Sequence, residues 1–178
     1  ILASHVIGEA CIIEGREVKA AETHGMAQRG GSVECHMRID GQFGPLIPPG
    51  GADLLMAFEL LEALRYRHYL KPGGVLVANR LVQVPTSVYM QKLEAPTEDG
   101  VLARLADLHP CILDADTKAA GAGSPLTQNM VMVGAASPRL PLDGESLEEA
   151  IRRSVPPKTI DMNLRAFLLG REAAGECR

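Results

Sequence analysis

The sequence has few aromatic residues and no tryptophan: Phe, Trp and Tyr together make up 3% of its 178 residues. Proteins that bind single-stranded nucleic acid stack bases on aromatic side chains, so no such surface is expected. The chain also lacks a strong charge of one sign, because 18 Lys and Arg oppose 22 Asp and Glu for a net charge of −4. That balance argues against a basic nucleic-acid footprint. No uncharged apolar run reaches about 18 residues, so no membrane-spanning helix is expected.

Cysteine is scarce and widely spaced, at Cys11, Cys35, Cys111 and Cys177. Without a Cys-x-x-Cys pair, neither a zinc knuckle nor an iron–sulfur run can form locally. At this density we expect reduced thiols in a cytoplasmic protein rather than a disulfide framework. Cys35 is followed by His36, but neighbours in a strand point to opposite faces, so we expect no metal site there.

What the chain does contain is a normal apolar fraction, 46%, at a length that predicts one globular domain over residues 1–178. The first residue is Ile1, and an apolar pattern follows without a helix cap. We therefore expect that the N-terminus of the domain is incomplete.

Hydrophobic periodicity predicts a helix before Gly15, then strands at 17–22 and 32–39 joined by a polar glycine-rich loop. After an irregular Pro- and Gly-rich stretch, residues 52–79 predict a strand, a helix and a second strand, with a turn at 71–74. This order is a βαβ unit with parallel strands and a right-handed crossover.

The second half of the chain predicts a weak strand near Val88 and then mostly helices. The expected elements are a helix over 98–107 capped by Thr97, a strand at 111–113, helices at 115–120 and 126–136, a helix begun by the capping box Ser146-x-x-Glu149, and a last helix over 158–173. The whole predicts an α/β fold: a three-layer α/β/α Rossmann-like domain with a largely parallel or mixed sheet.

The densest candidate site is the loop between the first two strands. Its glycines expose backbone N–H groups and Arg29 adds a planar donor fork, a combination that suits phosphate or carboxylate. A plain connection whose glycines only supply positive φ angles is an equally open interpretation. The candidate residues are His24, Gly25, Met26, Gln28, Arg29, Gly30, Gly31 and Ser32.

Other candidates are weaker. Asn129, a polar residue in an apolar helix, is expected to satisfy a buried backbone group, with facing a ligand as the alternative. Asp114 and Asp116 are expected to cap the following helix. Gly121-x-Gly123 lacks the third glycine of a dinucleotide fingerprint. No nucleophile is paired with an oriented base, so the residues alone give no complete catalytic set.

Residues 22–39, ETHGMAQRGGSVECHMRI, resemble the gamma-type subunits or domains of the 2-oxoacid:ferredoxin oxidoreductases, most closely the indolepyruvate branch. The resemblance continues through nearly the whole chain, at Pro45–Pro48, Ala52-Asp53, Ala57–Glu59, Leu70–Gly74, Asn129–Val131, Gly134-Ala135 and Asn163-x-x-Ala166-Phe167-x-x-Gly170. That family normally has a Gly-x-Gly-Gly-Gln-Gly loop before the helix that starts here at Ile1, and the loop is absent from this sequence.

The resemblance implies a non-catalytic subunit, inactive alone, of an enzyme that oxidatively decarboxylates a 2-oxoacid to an acyl-CoA and reduces ferredoxin. Thiamine diphosphate, Mg and [4Fe–4S] clusters would belong to a larger partner subunit, with coenzyme A as co-substrate. The loop at 25–32 would lie at that interface, where Arg29 binds a coenzyme A phosphate or fixes the partner. Two other readings stay open: a stand-alone small-molecule or nucleotide-binding α/β module, and an unrelated enzyme with His24 as its base.

Overall fold

A computed structural model describes residues 1–23 and 33–177 of the chain. The strands are β1 (Val18–Thr23), β2 (Glu34–Ile39), β3 (Ala52–Ala57), β4 (Leu70–Asn79) and β5 (Cys111–Leu113). The helices are α1 (Leu2–Ile13), α2 (Leu60–Tyr66), α3 (Thr86–Met90), α4 (Glu98–Leu105), α5 (Ala115–Ala122), α6 (Gln128–Ala136), α7 (Gly144–Ser154) and α8 (Ile160–Glu176).

The described strands form two separate sheets. β3, β4 and β5 lie side by side in that order, all parallel, and Leu55 of β3 pairs with Leu76 of β4. The predicted βαβ unit is therefore confirmed. β1 and β2 form an antiparallel pair in which Val18 lies opposite Ile39 and Thr23 lies opposite Glu34.

The parallel sheet has a hydrophobic core on each face. Leu76 and Val77 are consecutive residues of β4, so their side chains point to opposite faces, and both are fully buried. Leu76 packs with Leu60 and Leu105 of the layer that holds α2 and α4, whereas Val77 packs in the larger core formed by α1 and α5 to α8. The predicted three-layer α/β/α arrangement is confirmed.

Helices α6 and α8 cross at two glycines. A Cβ atom on Gly134 would lie 2.0 Å from the carbonyl oxygen of Phe167, and one on Gly170 would lie 1.9 Å from the carbonyl oxygen of Val131. Only glycine permits such close backbone contact, and Phe167 between the helices is completely buried. This crossing fixes α8 against the rest of the larger core.

Three local predictions are wrong. The region near Val88 forms the short helix α3 and not a strand. Residues 71–74 do not precede the second strand but belong to β4, which shifts register against β3 between Ala52 and Leu54. Helix α7 begins at Gly144, ahead of the expected cap Ser146, because the carboxylate of Glu14 accepts the N–H of Asp143 at 2.7 Å and also binds Ser146.

The expectation of four reduced thiols is also wrong, because Cys111 and Cys177 form a disulfide with their Cα atoms 5.0 Å apart. The pair is 66 residues apart in sequence, and only the folding of α8 back onto β5 brings the two cysteines together. Cys11 is buried and free, and Cys35 is exposed and free. None of the described helices combines the length and apolar character needed to cross a bilayer.

Candidate functional site

The predicted loop site lies outside the described residues. This applies to all eight of its candidates: His24, Gly25, Met26, Gln28, Arg29, Gly30, Gly31 and Ser32. The structure does describe the two strand ends on either side of the loop, Thr23 of β1 and Val33 before β2.

Hydrogen bonds fasten these strand ends to each other and to α1. The hydroxyl of Thr23 donates to the carbonyl oxygen of Glu34 across the two strands, at 3.2 Å. One residue earlier, the carboxylate of Glu22 accepts a 2.7 Å hydrogen bond from the hydroxyl of Ser4 in α1. The loop therefore leaves and re-enters the described fold at an anchored pair of strands.

The two neighbouring candidates on β2 face opposite sides, as expected. Cys35 is exposed, but desolvation of its thiol and the nearby carboxylate of Glu22 raise its pKa, so it is a poor thiolate nucleophile. His36 is buried, and its Nδ1 accepts the backbone N–H of Ile47 at 3.2 Å. Its ring also packs edge-on against Tyr69, 5.1 Å between centroids. His36 therefore joins the hairpin to Ile47 and Tyr69, and Cys35 is not activated as a nucleophile.

A second polar cluster lies at the carboxyl ends of the parallel strands, where open α/β sheets place their ligands. Asn79, the last residue of β4, is fully buried. Its amide oxygen accepts the N–H of Ala115 at 2.9 Å, and its amide nitrogen donates to the carbonyl oxygen of Phe58 and to the carboxylate of Asp116. Asp116 in turn accepts from the side chain of Gln128 at 2.8 Å. Asn79 thus joins the ends of three strands to α5 and α6.

The sequence interpretation missed Asn79. A signal was present, since a lone polar residue ends the apolar run VLVAN at the carboxyl end of a parallel strand. A buried side-chain amide must be hydrogen-bonded, so it fixes the positions of the groups around it.

The helix N-termini at this edge are closed by the chain's own carboxylates. Glu59 is buried, and its carboxylate accepts the backbone N–H groups of Leu61 and Glu62 at the start of α2. Asp114 caps α5 as predicted, and hydrogen bonds from the hydroxyl and N–H of Thr117 lower the pKa of Asp114. A nucleotide phosphate needs those same N–H groups and would be repelled by these charges.

The remaining candidates have structural positions. Gly123 ends α5 with a φ of +119°, which a side chain would strain, so Gly121-x-Gly123 joins two helices and is no phosphate loop. Asn129 is half-buried on α6, and its side chain makes no hydrogen bond within the described part of the chain. The expectation that it satisfies a buried backbone group is therefore not met among the described residues and stays a prediction. Within residues 1–23 and 33–177, no three His, Cys, Asp or Glu side chains converge as a metal site would require.

Comparison with known proteins agrees with this architecture. Residues 1–173 match the family model of pyruvate ferredoxin/flavodoxin oxidoreductase. The indolepyruvate oxidoreductase subunit IorB of Thermococcus kodakarensis is 41% identical over 99% of this chain and 90% of its own length. The 2-oxoglutarate synthase subunit KorC of Methanothermobacter thermautotrophicus is 31% identical over 97% of this chain and 87% of its own.

Among solved structures, the gamma subunit of the keto/oxoacid ferredoxin oxidoreductase from Geobacter sulfurreducens superposes with a TM-score of 0.69. The two are 25% identical, and the match covers 99% of this chain and 91% of that one. The chain therefore belongs to the pyruvate ferredoxin/flavodoxin oxidoreductase family, and within it to the small subunits of the 2-oxoacid:ferredoxin oxidoreductases. The predicted resemblance is confirmed.

Proposed function

We propose that this chain is the small subunit of an oxidoreductase that acts on indolepyruvate or a related aryl pyruvate. The complex would decarboxylate the oxoacid, transfer its acyl group to coenzyme A and pass the electrons to ferredoxin. One observation carries the substrate class: the chain shares more identity with the indolepyruvate subunit, 41%, than with the 2-oxoglutarate subunit, 31%.

The cysteines of this chain support placing the redox cofactors elsewhere. An iron–sulfur cluster needs several thiolates at one point, whereas here Cys11 is buried in the core, Cys35 lies on the hairpin, and Cys111 is bonded to Cys177. We therefore assign the [4Fe–4S] clusters, thiamine diphosphate and Mg to a larger partner subunit. This chain's contribution is a binding surface.

We assign this binding surface to the loop at 24–32, whose flanking strand ends are hydrogen-bonded to each other and to α1. Arg29 would bind a coenzyme A phosphate through its guanidinium, or hold a partner loop, with the N–H groups of Gly30 and Gly31 assisting. The closed helix N-termini at Glu59 and Asp114 support this assignment, because they disfavour the alternative of a nucleotide-binding module at the sheet edge.

Co-expression with the larger subunit tests the substrate class. The purified complex should reduce ferredoxin with indolepyruvate and coenzyme A at a higher kcat/KM than with 2-oxoglutarate, and the isolated small chain should show no activity. A chain that purifies as a free monomer or homodimer with a bound nucleotide, and recruits no thiamine-bearing partner, would support the stand-alone module instead.

Substitution of Arg29 tests the loop. We expect Arg29→Ala to raise the KM for coenzyme A about tenfold or more, because the substitution removes a charge-assisted hydrogen bond. The KM for the oxoacid should not change. Lys19→Ala is the matched control, since Lys19 is a cation on the same hairpin that donates to the carbonyl oxygen of Gly41 at the opposite end. An unchanged KM for coenzyme A in an intact complex would remove this role from Arg29.

A further inference from the structure

We propose that Cys111 and Cys177 form a thiol–disulfide switch that latches the C-terminal end of α8 to the edge of the parallel sheet. The proposal rests on the placement of the two sulfurs and is independent of the oxoacid substrate. The disulfide joins an edge strand to the last described residue of the chain, so opening it can release one end of a helix without cutting through the core.

The disulfide lies at the edge of the parallel sheet. β5 has only three residues and pairs with β4 alone among the described strands, with Cys111 opposite Val77. Cys177 follows the last turn of α8 directly, and its sulfur lies 3.5 Å from the carbonyl oxygen of Ala173. Apart from the disulfide, little in the structure holds this end of the helix to β5.

Cys177 is half-buried and lines an opening on the surface. A surface cavity of about 440 Å³ opens beside it, with Pro110, Leu113, Asp114, Lys118, Ala173 and Glu176 among its lining residues. Cys111 also packs in the larger core and is only 8% exposed. A small dithiol can therefore approach Cys177 from the cavity, whose charged lining residues are Lys118, Asp114 and Glu176.

The exchange conserves atoms and electrons. A dithiol reductant attacks the sulfur of Cys177 as a thiolate, and the sulfur of Cys111 leaves as a thiolate. The second thiol of the reductant, as its thiolate, then attacks the mixed disulfide and releases Cys177 as a thiolate. The reductant ends as a disulfide, and the two electrons it gives up reduce the Cys111–Cys177 bond. An oxidised dithiol reverses both steps.

The structural response should stay local. Further back along α8, Gly170 is locked against Val131 and Phe167 is fully buried, so that part of the helix keeps its contacts when the latch opens. After Ala173, Gly175 and Glu176 are exposed, whereas Ala174 and Cys177 are half-buried against the larger core. Reduction should therefore loosen the last turn of α8 and the mouth of the cavity, while the two cores remain folded.

Differential alkylation combined with hydrogen exchange of the full-length chain tests the switch. In the air-oxidised chain only Cys11 and Cys35 should react after unfolding, and reduced dithiothreitol should add Cys111 and Cys177. Amide exchange in residues 173–177 should rise about tenfold on reduction, as expected for a turn that opens locally, and return on reoxidation. Peptides around Gly134 and Phe167 should not change.

Two variants separate the latch from a general effect of reductant. Cys177→Ser should exchange fast at its C-terminus and ignore the redox state, whereas Cys35→Ser should behave as the parent chain. The proposal fails if Cys111 and Cys177 alkylate in the air-oxidised chain. It also fails if exchange at 173–177 is the same in both redox states, or if Cys177→Ser still responds to reductant. The parent chain alone gives the first two outcomes, so the test does not depend on a variant that folds.

Discussion

The parallel sheet with its helices and the β1–β2 hairpin are stabilised in different ways. In the sheet region, Leu76, Val77 and Ala78 are consecutive buried residues, and two glycines bring the backbones of α6 and α8 into contact. In the hairpin, no residue of β1 is fully buried, and His36 is the buried residue of β2. Closely packed apolar groups tolerate substitution less than exposed ones do. We therefore expect the sheet region to set the stability of the chain.

The hairpin instead combines polar contacts with the packing of its half-buried residues Val18, Met37 and Ile39 against the larger core. Arg16 pairs with Asp40 at 2.6 Å, and Ser4 donates to Glu22. Exposed contacts of this kind each contribute little to stability. The difference teaches where change is tolerated. The loop proposed to bind coenzyme A connects the two strands of the hairpin, which can adjust, and the buried sheet region holds the hairpin in place.

The strongest test of the contrast is an added methyl group at the helix crossing. Gly170→Ala would push α6 and α8 apart against backbone atoms that cannot move aside, at a cost of about 3 kcal/mol of unfolding free energy. Urea denaturation measures this loss of unfolding free energy. Gly175→Ala is the control, because Gly175 lies on the same helix with open space around it, and it should gain up to about 1 kcal/mol. Equal effects at the two sites would contradict the packing argument.

A smaller loss is expected at the carboxyl edge of the sheet. Asn79→Ala leaves the N–H of Ala115 and the carbonyl oxygen of Phe58 without their buried partner, which should cost about 2–3 kcal/mol. The matched variant Gln128→Ala removes only the exposed bond to Asp116 and should cost less than about 1 kcal/mol. A thermal shift for Asn79→Ala no larger than for Gln128→Ala would show that the buried amide does not organise this edge.

The smallest effect on stability is expected at Glu14, where the hairpin meets the helices of the larger core. Glu14 accepts the N–H of Asp143 and pairs with Arg16, which reaches Asp40 of the hairpin. The hydrogen bond from Asp143, followed by the contact with Arg16, lowers the pKa of Glu14. A carboxyl whose pKa is lowered in the folded state stabilises the fold at any pH above its ordinary, unfolded-state pKa. This contribution disappears as pH falls through the folded-state pKa.

Glu14→Gln should therefore lower the urea midpoint slightly at neutral pH and leave it unchanged in acid, where the parent Glu14 is already protonated. Hydrogen exchange should show the hairpin loosening before the sheet as pH falls. Lys19→Ala serves as the control, since it removes a half-buried hairpin charge for which no contact with α7 is found among the described residues. A midpoint difference between Glu14→Gln and the parent that persists in acid would contradict this linkage.

The sequence predicted much of the secondary structure because local signals agreed with the final fold. Thr97 accepts the N–H of Gly100 as the cap of α4, Asp114 caps α5, and Gly15 ends α1 with a φ of +68°. The wrong predictions fall where distant residues decide. Ser146 carried a capping pattern, but Glu14, more than 100 residues away, organises the start of α7.

The candidate site divides in the same way. The loop with Arg29 could be proposed from its glycines and charge, because backbone donors beside a guanidinium favour anion binding. Asn79 could not be recognised as the residue that organises the carboxyl edge, since its partners Phe58, Ala115 and Asp116 come from separate parts of the chain.

By itself, the sequence determined the class of fold, the βαβ unit and the family, because periodicity, caps and motifs are local properties. Only the tertiary structure decided that Cys111 meets Cys177, that Gly134 and Gly170 carry backbone contacts, and that Asn79 meets Phe58, Ala115 and Asp116. Each of these depends on which distant segments come within a few ångströms of one another. That is settled by the packing of whole helices and strands, which no local pattern of residues records.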